Sequence, residues 1–577
     1  MVTNRANCAL GRGFSPGPPT AKPLLNGGSG PARCEVAQCL VGPGHLLLHP
    51  QGGAFVGQNP HEPFAAAGLG IDKAAGRPER CGMAVGFGTS GVRGLVTELT
   101  DRECALYTRA FYQHARAQGA PPVVALAGDL RRSTPRLLRA VAWAVASEGG
   151  AVEFCGYLPT PALAHHARQQ GRAAVMVTGS HIPEDRNGLK FYLPRGEILK
   201  ADEAAITARR AALVAAGEAD AVMAGAFDAQ GAFWLEAPTE LPPPEPRAAA
   251  AYLRRYLDFL PPGCLAGRRL ALYEHSSVAR DLLGQLLEKL GAQVRRVGRA
   301  ERFIPVDTEA VENPGQLAAW VRAENAEALV STDGDGDRPL LVDEQGALVR
   351  GDVLGLLTAA ALRADVVVAP VSCTTALELC GAFRRVVRTR IGSPYVVAAL
   401  EDAVRAGARR AMGFEANGGF FLASDLAGEG PGRRLAALPT RDAVLPLLAV
   451  LQAAGRRALR VSQLVRELPP RFTASGRVRP FPTEQGRALV ARLEAGGAAA
   501  AAALFGEVFG EVRSVDFTDG ARVTFANGDI VHVRPSGNAP EFRVYTEAAS
   551  PAAAEANNQK ARQLVCRWAG LELEPTT

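Results

Sequence analysis

Lysine is scarce in this chain of 577 residues: almost all of its 64 basic side chains are arginine, so the formal charge of +6 is carried by permanently charged guanidiniums spread along the sequence. No block of Lys and Arg interleaves with aromatics, which make up only 6% of the chain, and this argues against a nucleic-acid surface. No stretch approaches the ~20 continuous apolar residues of a membrane span. Runs such as 366–369 and 498–505 have the length of buried strands or short core helices. The ten cysteines form no CxxC pair, the closest being Cys34 and Cys39. No basic segment leads into an apolar run of about 7–15 residues, so a secretory signal is not expected. Scattered thiols in such a chain point to a reducing, cytoplasmic setting.

What remains is ordinary soluble-protein composition, 47% hydrophobic and 21% charged, in a length that divides into about three to five domains. Residues 1–82 are rich in Gly, Pro and Ala and hold no helix or strand period. They read as a disordered N-terminal extension, with the natural start near Met83. Beyond it, strand and helix patterns alternate: strands at 123–128, 152–155 and 173–177, with a helix at 136–147. This alternation predicts α/β layers with a mostly parallel sheet, whose ligands bind beyond the carboxyl ends of the strands. The Pro-rich 235–247 reads as a linker. The expected units are 83–240, 248–350 and 351–458, all α/β, and 459–577, an α+β unit with an antiparallel sheet around the hairpin signals Asp519-Gly520 and Asn527-Gly528.

Five polar clusters carry chemistry. Thr178-Gly179-Ser180-His181-Ile182-Pro183, followed by Asn187-Gly188-Leu189-Lys190, puts a hydroxyl on a turn at the end of a strand, with a rare lysine ten residues on. Such a hydroxyl can act as a nucleophile or carry a phosphate, although serines in Gly/Pro turns also simply bond the local backbone. Asp333-Gly-Asp335-Gly-Asp337-Arg338 alternates carboxylates with glycines, so that three can converge on one hard cation such as Mg²⁺. A calcium loop would also use these aspartates and Glu344, but it needs glycine where Arg338 stands and a helix where a strand precedes. Gly413-Phe-Glu415-Ala-Asn417-Gly-Gly419 can bond vicinal sugar hydroxyls, or be a plain surface loop. Arg534-Pro-Ser536-Gly537-Asn538, with Arg543, offers guanidinium forks and backbone N–H groups to a phosphate, or is a polar turn. Gly88-Thr-Ser-Gly-Val-Arg93-Gly94 adds one arginine among glycines.

In chain order these pieces resemble the α-D-phosphohexomutase superfamily (phosphoglucomutase, phosphomannomutase, phosphoglucosamine mutase) over residues 84–570. The resemblance implies four domains around a central cleft: three successive mixed or parallel α/β domains and a C-terminal α+β domain, each giving one loop. It implies that Ser180 is the phosphoserine. Asp333, Asp335 and Asp337 would hold Mg²⁺, with the Ser180 phosphate completing the site. Arg93 and Lys190 would flank the transferred group, Lys190 as a candidate general base, and His181 would help hold the serine phosphate. Arg338, Arg390, Glu415 and Asn417 would face substrate. Arg534, Ser536, Gly537, Asn538 and Arg543 would grip the non-reacting phosphate. The implied reaction interconverts hexose 6-phosphate and hexose 1-phosphate, mannose before glucose, through a hexose 1,6-bisphosphate that also serves as activator.

The partners implied are small hexose phosphates, with no nucleic acid or membrane, and a monomer or homodimer. The chain departs from the family at Gly419, where many bacterial members carry a histidine. It also departs at Asn417, Arg390 and Asn538-Ala539. A sugar-phosphate-binding regulator with weak turnover, or a phosphoglucosamine mutase, is the alternative reading.

Overall fold

The computed structural model describes residues 85–88, 91–217, 220, 222–234, 240–536 and 540–572. The extension expected at 1–82 lies outside them. Three mixed sheets follow one another, and all three are built to one plan. In the first, Val123–Gly128 pairs in parallel with Ala151–Tyr157 on one side and Ala173–Val177 on the other, and Arg186–Leu193 returns antiparallel to Ala173–Val177. In the second, Arg269–His275 lies between Gln293–Arg299 and Ala328–Thr332, both parallel, and Pro339–Asp343 returns antiparallel. In the third, Val366–Pro370 lies between Arg385–Thr389 and Ala411–Phe414, and Phe420–Leu422 returns antiparallel.

In every unit the chain leaves the third strand, makes a short loop and comes back. Ser180, the three aspartates and Glu415 each sit on that returning loop. The strands behind the loops are apolar on both faces, as parallel strands covered by helices must be. Ala173–Val177, Ala328–Thr332 and Ala411–Phe414 are buried at every position. A rigid, dry strand therefore ends at each chemical group.

The fourth unit is antiparallel throughout, in the order Phe472–Val478, Phe542–Ala548, Ile530–Pro535, Ala521–Phe525, Val512–Asp516. Alternation sorts its faces. Ala521, Val523 and Phe525 turn into a core shared with the helices Thr483–Ala501 and Pro551–Ala569. Arg522 and Thr524, one residue out of phase with them, are only partly buried.

The expected short helix at 498–505 is longer. It begins at Thr483, bends at Gly497 (φ 53°) and passes into a π turn at Ala502–Gly506. By length and composition alone Thr483–Phe509 could cross a bilayer, its most apolar 18 residues having a mean hydropathy of 1.4, although charged residues interrupt it and it is no continuous apolar run. Its hydropathy owes much to alanine, and its large side chains Leu489, Leu493 and Phe505 are buried in the fourth unit's core.

Packing separates the fourth unit from the rest. One continuous core joins the first three, running through Leu163, Leu283, Val330, Leu354 and Leu447. Tyr252 and Tyr256, on the helix Arg247–Leu257, both donate to Asp442 of the third unit and pin it in place. The fourth unit keeps its own core and meets the third through polar contacts. Glu547 accepts from Thr374 Oγ1 and the Thr375 N–H, both at 2.8 Å. Arg390 Nε donates to the Thr518 carbonyl at 3.0 Å. A polar interface with separate cores is what a mobile domain needs.

Candidate active site

Ser180 lies between Ala173–Val177 and Arg186–Leu193 with φ 56°, a left-handed conformation that costs a non-glycine residue on the order of 1 kcal/mol. The surroundings impose it. The Ser180 N–H donates to Thr178 Oγ1 at 2.7 Å. Arg131, fully buried, donates to four carbonyls of the same loop: Ser180 at 3.0 Å, Ile182 at 2.5 Å, Pro183 at 2.7 Å and Arg186 at 3.0 Å. Its Nε pairs with Asp129 at 3.1 Å, and Asp129 also takes the Thr178 and Thr134 hydroxyls and the Gly179 N–H. The Arg131 guanidinium lies 3.9 Å from the Phe303 ring of the second unit. Gly179 has to be glycine, because a Cβ there would sit 2.6 Å from Arg131 Cζ.

This frame aims Ser180 Oγ at the second unit. The hydroxyl donates to Asp333 Oδ2 at 2.6 Å. The Asp333, Asp335 and Asp337 carboxylates bring one oxygen each within 4.8 Å of one another. Lys190 Nζ reaches Asp335 at 2.6 Å and Asp337 at 2.5 Å, and Thr160 Oγ1 donates to Asp335 at 2.5 Å. Among the described residues, Asp335 Oδ1 and Asp337 Oδ1 are buried without hydrogen-bond partners. Unsatisfied anionic oxygens in a dry pocket are costly. A hard divalent cation takes oxygen donors of this kind, so the residues present fit one.

Electrostatics separate the three acids. Burial, then Asp335 and Asp337, push the Asp333 carboxyl well above its usual range. Burial opposes ionisation of Asp337 as well, but Arg441, Lys190 and Arg338 hold it below the usual range.

Around this centre, Arg93 pairs in register with Gly188, two residues before Lys190. Burial, then Arg338 and Arg441, lower its guanidinium to about 10. Arg338 Nη1 donates to His181 Nδ1 at 2.7 Å. Burial, with Arg338 and Arg93, holds His181 well below its ordinary value and therefore neutral. Ser180, His181, Lys190, Arg93, the three aspartates and Arg338 thus form one cluster.

Glu415 joins it through Arg441, which spans Asp337 at 3.0 Å and Glu415 at 3.1 Å. Arg441 also explains Gly419: a Cβ there would meet Arg441 Cδ at 2.6 Å. The 413–419 loop leaves its side-chain room to the buried stem of Arg441. Asn417 Oδ1 accepts the Gly419 N–H at 2.9 Å and braces the loop.

The fourth-unit residues stand apart. Arg534 and Arg543 face each other in register on adjacent strands. Arg534 pairs with Asp519 and Arg543 with Glu541. Ser536 is buried, and its N–H donates to the Glu541 carbonyl at 2.9 Å. Gly537 and Asn538 lie outside the described residues. Arg390 is exposed at the boundary between the third and fourth units.

A second clustering, Glu153 with Cys155 and His166, is an ion-paired structural group. Glu153 pairs with Arg172 at 2.6 Å and His166 at 2.8 Å, and burial pushes the Cys155 thiol up to about 12.

Three residues that shape the centre were missed from the sequence: Arg131, Thr160 and Arg441. Arg131 had a signal in the polar run Asp129-Leu-Arg-Arg-Ser-Thr134 at a strand end. Thr160 and Arg441 had none, since each meets its aspartate across more than a hundred residues.

Four family models match this chain, all described as phosphoglucomutase/phosphomannomutase: α/β/α domain I over residues 84–214, domain II over 255–346, domain III over 350–472 and the C-terminal domain over 482–563. The chain belongs to the phosphoglucomutase/phosphomannomutase family. It is an isomerase of the phosphotransferase kind. A phosphomannomutase of Sinorhizobium fredii is 46% identical over 478 residues, 82% of this chain and 97% of that protein. A phosphomannomutase of Salmonella muenchen is 41% identical over 468 residues, 81% of this chain and 92% of that protein. A crystal structure of a family protein from Burkholderia thailandensis has the same fold. Its TM-score is 0.64 at 22% identity, and the match covers 84% of this chain and 98% of that one. The family's fold, three α/β/α domains and a C-terminal domain, is the one described above.

Proposed function

We propose that this chain interconverts hexose 6-phosphate and hexose 1-phosphate, mannose phosphate first and glucose phosphate next, with Ser180 as the residue that carries the phosphate. The single observation that carries this reading is the 2.6 Å contact between Ser180 Oγ and Asp333, inside a triad of converging carboxylates. Mannose ranks first because the relatives at 46% and 41% identity are phosphomannomutases, whereas a phosphoglucosamine mutase of Rhodospirillum centenum is 32% identical.

Phosphoryl transfer needs positioning and charge neutralisation more than covalent assistance. In the forward half, the bond between phosphorus and Ser180 Oγ breaks while a sugar hydroxyl bonds to phosphorus. The hydroxyl's proton passes to a base, for which Lys190 is the candidate, while Ser180 Oγ keeps the electron pair of the broken bond and takes up a proton, regaining the hydroxyl that donates to Asp333. The product is a hexose 1,6-bisphosphate. After it turns around, its other phosphate returns to Ser180. Arg534, Ser536 and Arg543, with Gly537 and Asn538, hold whichever phosphate is not reacting, while Glu415, Asn417 and Arg390 face the sugar and its phosphate. Arg93, Arg338 and His181 surround the group in flight. Asp333, Asp335 and Asp337 would hold Mg²⁺, which when bound offsets the charge of the serine phosphate. Hexose 1,6-bisphosphate restores any enzyme that has lost its phosphate, and so acts as activator. The free thiols of the six cysteines among the described residues support a reducing, cytoplasmic setting.

The test is turnover of the purified chain on mannose 1-phosphate, glucose 1-phosphate and glucosamine 1-phosphate, with Mg²⁺ and trace bisphosphate. Mannose 1-phosphate should give the highest kcat/KM. Ser180→Ala should remove turnover while leaving the fold intact, because among the described residues Oγ hydrogen-bonds to Asp333 and His181 alone. An active Ser180→Ala enzyme would end this reading.

A further inference from the structure

A cavity of about 360 Å³ opens between the third and fourth units, away from the catalytic cluster. That volume lies within the range of small-molecule sites. Val371, Leu379 and Ile530 supply apolar walls, and Leu379 is 61% exposed although it is a large aliphatic side chain. Three arginines also line it.

Two of these arginines are satisfied. Arg388 pairs with both oxygens of Glu378 at 2.7 Å and donates to the Pro370, Cys373 and Thr374 carbonyls. Arg471 donates to Thr375 Oγ1 and the Gly528 carbonyl, with Glu547 at 3.5 Å. Arg522 differs. Among the described residues its side chain makes no hydrogen bond and no ion pair. Asp516 stands opposite it in register on the next strand, but one of its oxygens accepts the Thr518 N–H and neither comes within ion-pair distance. Burial and the nearby Arg388 charge lower the Arg522 guanidinium. The Arg522 fork has no described protein partner and is met by solvent, so an anion entering the cavity would gain charge-assisted hydrogen bonds there.

The geometry points to a second binding site in this cavity, for a small molecule that carries one anionic group on an apolar body. The anion sits on Arg522 and the body lies against Leu379, Val371 and Ile530. The site is separate from the phosphate loop. Its apolar end at Ile530 is four residues, about 14 Å of extended chain, from Arg534, while Arg522 stands opposite His532, two residues from Arg534, so the anion end neighbours that loop and displacement by a bisphosphate tells the two apart. Its walls come from two units that otherwise meet through polar contacts, so an occupant would bridge them.

The probe is 8-anilinonaphthalene-1-sulfonate, a sulfonate on an aromatic body, titrated by fluorescence against the full chain. One probe should bind per chain, and excess glucose 1,6-bisphosphate should not displace it. Arg522→Met should weaken binding tenfold or more, the scale of one charge-assisted hydrogen bond, and Arg522→Lys should weaken it less. Arg522→Met leaves no described partner unsatisfied, so the variant should fold. Leu379→Asp, at an exposed position, should weaken binding independently. Unchanged affinity in Arg522→Met, or displacement by the bisphosphate, would overturn the proposal. So would loss of hexose phosphate turnover in Arg522→Met, because Arg522 would then belong to the catalytic cleft. Binding is read without turnover, so failure here and failure of the mutase reading are distinguishable.

Discussion

Replacing Arg131 by methionine should cripple the enzyme even though Arg131 is bonded to the serine loop only through main-chain carbonyls. The substitution keeps the apolar stem. It removes the partner of Asp129, which is fully buried, and the donors to four carbonyls between Ser180 and Arg186. Breaking a buried ion pair from one side costs about 3–5 kcal/mol, because the remaining charge is uncompensated. That is a large part of the ~5–15 kcal/mol that holds a domain folded. The loop has an escape. Nothing else described holds the Ser180 carbonyl, and its φ of 56° is unfavourable, so it should relax toward ordinary backbone. A shift of about 1 Å at a reacting group costs roughly 100-fold in rate.

The expected result is therefore a kcat about 100-fold lower, with KM within about threefold, since the groups proposed to bind the sugar are untouched. Hydrogen exchange at the amides of 178–186 should accelerate. Burial already raises the Asp129 carboxyl above its ordinary value, and losing Arg131 raises it further. A carboxyl whose folded pKa lies above its unfolded one takes up a proton on folding, so it weakens the folded state as pH rises between the two. The variant's stability deficit should then be larger at pH 8 than at pH 5. Asp129→Asn combined with Arg131→Met should recover part of the stability but little of the rate. A kcat within threefold of wild type in Arg131→Met, with unchanged exchange in the serine loop, would refute the reasoning.

Other consequences follow from the same geometry. Gly419→His should force Arg441 to move, because even its Cβ would lie 2.6 Å from Arg441 Cδ. Overpacking of this kind costs about 1–3 kcal/mol, and the released Glu415 should raise KM for the sugar phosphate, as steady-state kinetics would show. Removing divalent cations with EDTA should abolish turnover and added Mg²⁺ should restore it. Asp335→Asn should raise the Mg²⁺ concentration for half-maximal rate by tenfold or more, and an unaltered requirement would place the cation elsewhere. Glu547→Ala removes the acceptor of Thr374 and Thr375 at the junction of the third and fourth units. It should lower thermal stability of the fourth unit by about 1–3 kcal/mol, read by calorimetry as an earlier, separate transition.

Most of the chemistry was legible because it is local. Gly179-Ser180, the alternating Asp-Gly run and Arg534-Pro-Ser536 are contiguous, and apolar runs mark the strands that lead into the first two. Strand Ala173–Val177 was readable to the residue, since five apolar positions ending in Thr-Gly-Ser leave little freedom. The helix Thr483–Ala501 was not, because its early turns carry mixed polar residues and only the alanine run stood out. The shared plan of the first three units was legible only as a loosely similar order of elements, since their equivalence lies in strand order and not in side chains.

By itself, then, the amino-acid order determined which groups are chemically able to react or to bind an anion: one serine, three acids, one rare lysine and the paired arginines Arg534 and Arg543. Residue type and spacing within a turn settle that, and both are written in the chain. Only the tertiary structure decided how those groups are held. Asp129–Arg131 clamps the serine loop, Thr160 and Arg441 fasten the acidic one, and Arg441 rather than a loop side chain fills the space beside Gly419. These partners are brought together by packing across domains. Apolar burial drives that packing without regard to sequence distance, so no local pattern could announce Thr160 or Arg441, which reach the acidic loop from other domains.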